Sequence, residues 1–121
     1  MFDHIGFGVA SYKKSRVFYL AALAPLGIVV VKEGLDWTML GKNGKPGFWF
    51  GAHGVPPGPM HLAFIAESRA QVRAFYAAAL SAGGHDNGKP GIRADYHPNY
   101  YGAYVLDPDG HNVEAVCHKP A

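Results

Sequence analysis

The chain repeats itself, and that repeat limits what it can fold into more than any other feature. HIGFGVASYKKSRVFYLAALAPLG, from His4 to Gly27, aligns without a gap with HLAFIAESRAQVRAFYAAALSAGG, from His61 to Gly84, at a constant offset of 61 − 4 = 57. His4 pairs with His61, Phe7 with Phe64, Ser11 with Ser68, Arg16 with Arg73, Phe18-Tyr19 with Phe75-Tyr76, Ala21-Ala22-Leu23 with Ala78-Ala79-Leu80, and Gly27 with Gly84. Two copies of one supersecondary unit fill most of a chain of 121 residues, a length that suits one domain.

Each copy opens with a short run of strand character and reaches a serine suited to N-cap a helix. In the second copy Val72, Phe75, Tyr76, Ala79 and Leu80 recur at steps of three and four, the spacing of one helix face, before Gly83-Gly84 ends the pattern. Phe18, Tyr19, Ala22 and Leu23 do the same in the first copy, which ends near Pro25 and Gly27. Extended segments follow: Ile28 to Lys32, Leu35 to Leu40 and Phe48 to Ala52, then Tyr101 to Leu106 and Asn112 to Cys117. Turn sequences ending in Gly44 and Gly110 separate the last two of each set. These glycines differ by 110 − 44 = 66, so the second copy should hold 66 − 57 = 9 extra residues, in the Gly-, Pro- and His-rich stretch from His85 to Tyr100. A long irregular loop there would suit a binding loop.

Gly54 to Pro59, with three prolines, reads as a stiff connection. The expected organisation is one domain, with module one at 1–53, a linker at 54–59 and module two at 60–118. The expected fold class is α+β: two βαβββ modules forming a curved mixed sheet around a cup, helices outside.

Composition narrows the functional classes. A formal charge of +2 with scattered Lys and Arg gives no basic stripe, which argues against nucleic acid as a partner. No apolar stretch has the length of a membrane span, and MFDHIGFGV reads as a strand and not as a signal peptide. The single cysteine, Cys117, cannot form an internal disulfide, so a reducing, cytoplasmic setting is expected. Seven histidines and seven tyrosines supply metal-binding and hydrogen-bonding groups for a small-molecule pocket.

Side chains alternate across a strand. His4, Gly6 and Gly8 therefore share one face while Ile5, Phe7 and Val9 pack under the helices; His61, Ala63 and Ile65 take the equivalent face, and Asn112, Glu114 and Val116 share a face of the last strand. Two imidazoles and a carboxylate on related places of a pseudo-symmetric sheet can hold a divalent cation, which would offset the cost of burying the carboxylate. In the competing reading both histidines make structural hydrogen bonds and Glu114 meets an arginine.

DHIGFGV near the start, SRVFYLAALAPLGI in the first helix, HLAF opening the second half, FYAAALSAGG in the second helix and VLDPDGHNVEAV at the end resemble, in order and spacing, the vicinal oxygen chelate superfamily of glyoxalases, bleomycin resistance proteins and extradiol dioxygenases. The resemblance covers essentially the whole chain and implies one divalent metal ion (Zn, Ni, Fe or Mn) held by His4, His61 and Glu114, with substrate oxygens bound to it. It also implies a homodimer in which modules can be exchanged between chains. Glyoxalase I enzymes generally carry a fourth, acidic ligand; shifting Glu114 back by 66 gives Phe48, and Trp49 and Phe50 beside it are no better as ligands.

The functional expectation is a metal-dependent lyase or isomerase, or a ring-cleaving dioxygenase, acting on a small metabolite. His97 and Tyr101, with Glu114, are the candidates for proton transfer, and Trp37, Phe48, Phe50, Tyr96, Tyr100 and Tyr104 for substrate contact. The alternative is a metal-free binding protein of the bleomycin-resistance type, whose aromatic cup sequesters a small molecule or antibiotic.

Overall fold

A computed structural model describes residues 1–121. The order of elements is β1 (Ile5–Gly8), α1 (Tyr12–Leu23), a 3₁₀ turn (Ala24–Leu26), β2 (Val29–Glu33), β3 (Trp37–Lys42), β4 (Lys45–Gly51), β5 (His61–Ile65), α2 (Arg69–Ser81), β6 (His85–Ile92), β7 (Tyr101–Leu106) and β8 (Asn112–Cys117). This is βαβββ twice, as the repeat implies. Both helices start on the serines read as caps: Ser11 Oγ accepts from the Lys14 amide and Ser68 Oγ from the Gln71 amide. Gly27 ends the first helical segment with φ of 79°, a left-handed turn that a side chain would resist.

The two sheets have the same strand order, β1-β4-β3-β2 and β5-β8-β7-β6. In each, the first strand pairs parallel with the last, and the remaining pairs are antiparallel. Ladder hydrogen bonds stay within a module, so the curved surface comes from two four-stranded sheets and not from one continuous ladder. β1 and β5 each have one edge free of ladder bonds.

One apolar core serves both modules. Phe18, Tyr19, Ala22 and Leu23 of α1 and Val72, Phe75 and Ala79 of α2 are fully buried, and the helices pack on each other. The sheets contribute Phe7, Leu40, Phe48, Phe50, Leu62, Val105, Val113 and Ala115 from one face each. Phe48 of β4 touches Phe64 of β5 at 5.7 Å between centroids, which carries the core across the module boundary. A polar clasp closes the same boundary: Asp107 accepts from the Tyr19 hydroxyl of α1 and from the backbone amides of Asp109 and His111. His111 Nδ1 in turn accepts from the Met60 amide at 3.0 Å, at the entry to β5. The DPDG turn thus fixes the approach of both β5 and β8 to the first module.

One segment differs from the sequence reading. His85–Ile92, expected as irregular loop, forms β6, the edge strand of the second sheet, with register shifts around Gly88. Glycine and proline disfavour regular strands, yet an edge position tolerates both because only one side of the backbone must pair. The irregular part is confined to residues 93–100, where the Arg93 amide donates to the Tyr100 carbonyl at 2.7 Å and closes the loop at its base.

Candidate functional site

Period-two alternation leaves the second sheet with an open face that carries His61 and Ala63 from β5, Glu114 from β8, and Gly102 and Tyr104 from β7. Glu114 is wholly buried although it stands on that open face. His61 covers it from one side, its Nε2 donating to Glu114 Oε1 at 2.8 Å, and the Tyr100 hydroxyl donates to Glu114 Oε2. Tyr104 is the direct cross-strand neighbour. Gly102 leaves room for this: a Cβ there would stand 3.2 Å from Glu114 Oε2 and 3.3 Å from the Tyr100 ring. Burial and the adjacent Glu114 charge push the Tyr100 hydroxyl well above the ordinary tyrosine range, and burial followed by the same charge raises Tyr104. Both therefore stay protonated, as donors to an anionic oxygen.

No lysine or arginine pairs with Glu114, so the arginine partner of the purely structural reading is not what the carboxylate meets. Its neighbours are one imidazole and two phenols. A carboxylate and an imidazole in hydrogen-bond contact, the imidazole about half exposed, offer one oxygen and one nitrogen donor on an accessible face.

The third residue of the expected set, His4, does not converge with the other two. His4 is exposed, and its Nδ1 donates to Asp3 at 2.7 Å. It borders, with His61, a cleft of about 280 Å³ that also touches Phe2 and Phe64. Within one chain no three His, Cys, Asp or Glu side chains converge closely enough to hold a metal ion. The chain by itself therefore fits a divalent ion only in part, with His61 and Glu114 as its two converging donors.

Strand register identifies the counterpart of Glu114 in the first module. Ala63 pairs with Glu114 and Gly6 pairs with Trp49, so the equivalent position is Trp49, at an offset of 114 − 49 = 65. Counting from the turn glycines gave 66 and Phe48; the difference arises from a register shift between Leu40 and Gly41 in the first hairpin. The Trp49 indole lies against two glycines, with Cβ atoms built on Gly6 and Gly51 falling 2.8 Å from its ring. It borders, with His4, Gly6, Met39 and Phe48, an open cavity of about 490 Å³ on the first sheet.

The other expected contacts divide between the two faces. Trp37 and Tyr104 are half-buried on open faces. Phe50 is wholly buried, and Phe48 packs its ring against Phe7, Tyr19 and Phe64 in the core, with an edge at the open cavity. Tyr101 points to the helix side, under the Arg69 guanidinium and 3.5 Å from Arg73, because it alternates with Gly102 and Tyr104. His97 is exposed in the 93–100 loop, its Nδ1 accepts from the Asn99 amide, and its ring stands 5.8 Å from that of His118. Tyr96 rests against Tyr100 at 5.1 Å. Of the loop's aromatic groups, it is Tyr100 that reaches the carboxylate.

Residues 1–115 match the family model described as the Glyoxalase/Bleomycin resistance protein/Dioxygenase superfamily. Among solved structures, a glyoxalase/bleomycin resistance protein from Albidiferax ferrireducens is 31% identical with a TM-score of 0.80, and the match covers 98% of both chains. A glyoxalase/bleomycin resistance protein/dioxygenase family enzyme from Burkholderia phytofirmans superposes with a TM-score of 0.74 at 18% identity, over 97% of this chain and 98% of that one. A glyoxalase-related enzyme from Fulvimarina pelagi does so with a TM-score of 0.72 at 22% identity, over 97% and 87%. The latter two speak to the fold alone. No curated protein matches the sequence.

Proposed function

Since the chain belongs to the glyoxalase/bleomycin resistance protein/dioxygenase superfamily, we propose that it is a metal-dependent enzyme of the lyase or dioxygenase type, binding a small oxygen-bearing metabolite on the open face of its second sheet. One observation carries the reading: a fully buried carboxylate, Glu114, is held by His61 and by protonated Tyr100 and has no cationic partner in the chain. A buried carboxylate is costly to keep without a compensating cation. A divalent ion bound at this pair would supply Lewis acidity to the oxygen atoms of the bound molecule. His61 and Glu114 would be its two ligands from one chain, and His4 of a second copy would be the third. The free edges of β1 and β5, near His4 and His61, give two copies surfaces on which to meet, and a two-fold dimer would make two such sites. Tyr100 and Tyr104 would hold an anionic oxygen of the bound molecule, and Glu114 would exchange a proton with it.

Metal analysis with size-exclusion chromatography tests this. The protein, stripped and re-exposed to nickel, zinc, manganese and iron in turn, should elute as a dimer with one ion per chain, and His61→Ala and Glu114→Gln should abolish binding. His4→Ala should weaken it without dissociating the dimer. Failure to take up any of the four ions stoichiometrically refutes the proposal.

A second reading has its own support. Trp49 stands where a fourth, acidic ligand would be, and His4 is occupied with Asp3. Both suit a metal-free binding protein of the bleomycin-resistance type, with Trp37, Met39 and Trp49 as an apolar wall. It predicts ligand affinity unchanged by His61→Ala.

A further inference from the structure

The loop at residues 93–100 begins at Arg93 and ends at Tyr100, and the pairing of their backbones brings both to the same open face. Tyr100 takes Glu114, as described. The Arg93 guanidinium lies over the Tyr104 ring at 5.2 Å, and its NH2 group donates to the Lys89 carbonyl at 2.7 Å. Two glycines of β6 form its bed. A Cβ at Gly91 would stand 3.0 Å from its NH1 nitrogen; one at Gly88 would stand 3.3 Å from NH2 and 2.6 Å from the Tyr104 ring. No Asp or Glu pairs with Arg93, and it is only half-buried. One of its five N–H donors is engaged by the protein. A guanidinium fixed on an aromatic ring, unpaired and open to the face that holds the candidate site, is preorganised for a planar oxyanion.

We propose that Arg93 is a specificity-determining residue that selects molecules carrying a carboxylate or phosphate group. The register sets the distance. Gly88 pairs with Tyr104 and Tyr104 with Glu114, so Arg93 and Glu114 are separated by one to two strand spacings, roughly 5–10 Å. The anionic group therefore sits at one end of the molecule, and the oxygen that meets Glu114 and His61 sits at the other. This inference rests on the open face of the second sheet being the ligand site, but it holds with or without a metal ion there.

Calorimetric titration of the full-length protein with 4-hydroxybenzoate, 4-hydroxyphenylphosphonate and the uncharged 4-hydroxybenzamide tests it, each run with and without EDTA. The two anions should bind at least about tenfold more tightly than the amide, the worth of a charge-assisted hydrogen bond, and Arg93→Gln should close that gap. The tighter of the two anions identifies the preferred group. In the wild-type protein, the Arg93 Nε–H resonance should move on adding the preferred anion and stay in place with the amide, a readout that does not depend on a variant folding. A gap that survives in folded Arg93→Gln, an Arg93 resonance blind to both anions, or no binding of any probe at millimolar concentration overturns the assignment. An anion preference that depends on Arg93 in a protein that takes up no metal would refute the metal-dependent reading alone. Stoichiometric metal with affinity indifferent to probe charge would refute this one alone.

Discussion

Tyr19→Phe removes one oxygen atom from the clasp that joins the modules, and its effect can be worked out in size and in pH dependence. Tyr19 is fully buried, and its hydroxyl donates to Asp107, itself 2% exposed. A hydrogen bond to a charged group contributes about 1.5–3 kcal/mol, so the variant should lose about 2 kcal/mol at neutral pH. Burial and the Asp107 charge push the Tyr19 hydroxyl far above the ordinary tyrosine range. The folded chain therefore keeps this proton, while the unfolded chain releases it above about pH 10. The unfolded state then binds fewer protons, and wild-type stability declines as pH rises, by at most about 1.4 kcal/mol per pH unit from this group. Tyr19→Phe lacks the group, so the difference between the two proteins should be full up to about pH 10 and nearly gone by about pH 11.5. Urea unfolding of both proteins at steps from pH 7 to about pH 11.5 measures that difference, and titrations common to both cancel. A neutral-pH difference under about 0.5 kcal/mol, or one that stays constant through this range, would refute the clasp as described.

Two further outcomes follow from the two open faces. Gly51→Ala drives a methyl group to within 2.8 Å of the Trp49 ring and 3.1 Å of Trp37 Cβ; it should cost about 1–3 kcal/mol in urea unfolding and shift tryptophan emission, since the indole must leave its glycine bed. Tyr100→Phe leaves buried Glu114 with His61 as its hydrogen-bond donor; a loss of about 1.5–3 kcal/mol is expected, and an unchanged unfolding midpoint would mean that the phenol does not support the carboxylate.

Much of this fold could be read from the sequence because the repeat does its work locally. Ser11 and Ser68 cap their helices and the apolar faces of α1 and α2 are buried, all from spacings within a few residues. β7 and β8 have the bounds read for them, since alternating apolar runs flanked by Pro and Gly turns leave little latitude. β6 is hidden in the sequence because its residues before Ile92, HDNGKPG, disfavour strands; pairing with β7 makes it one. The same limit applies to the site. Alternation was enough to put His61 and Glu114 on one face; carried along β7 it also separates Tyr101, which shares the side of Ala103 and Val105, from Gly102 and Tyr104. Tyr100, however, stands one residue before that strand, where the loop closure and not strand alternation directs its side chain. Arg93 left no trace in the pattern, because its place over Tyr104 depends on a loop closure that no local spacing encodes.

Register also exposes how far the two copies have diverged in chemistry while keeping one backbone. Gly6, Trp49 and Met39 occupy, position for position, the places of Ala63, Glu114 and Tyr104. One open face is thus aromatic and apolar on a floor of glycine, and the other polar around a buried carboxylate. An indole offers no metal-ligand atom, so the first module has no counterpart to the carboxylate of Glu114. The eight residues by which the sheet offset exceeds the helix offset, 65 − 57 = 8, fall before β7 in the second copy, in the stretch that brings Tyr100 onto Glu114 and Arg93 over Tyr104. The enlargement and the polar groups therefore coincide in one module: the second sheet carries the buried carboxylate with its imidazole and phenol neighbours, while the first keeps an apolar face floored by glycine.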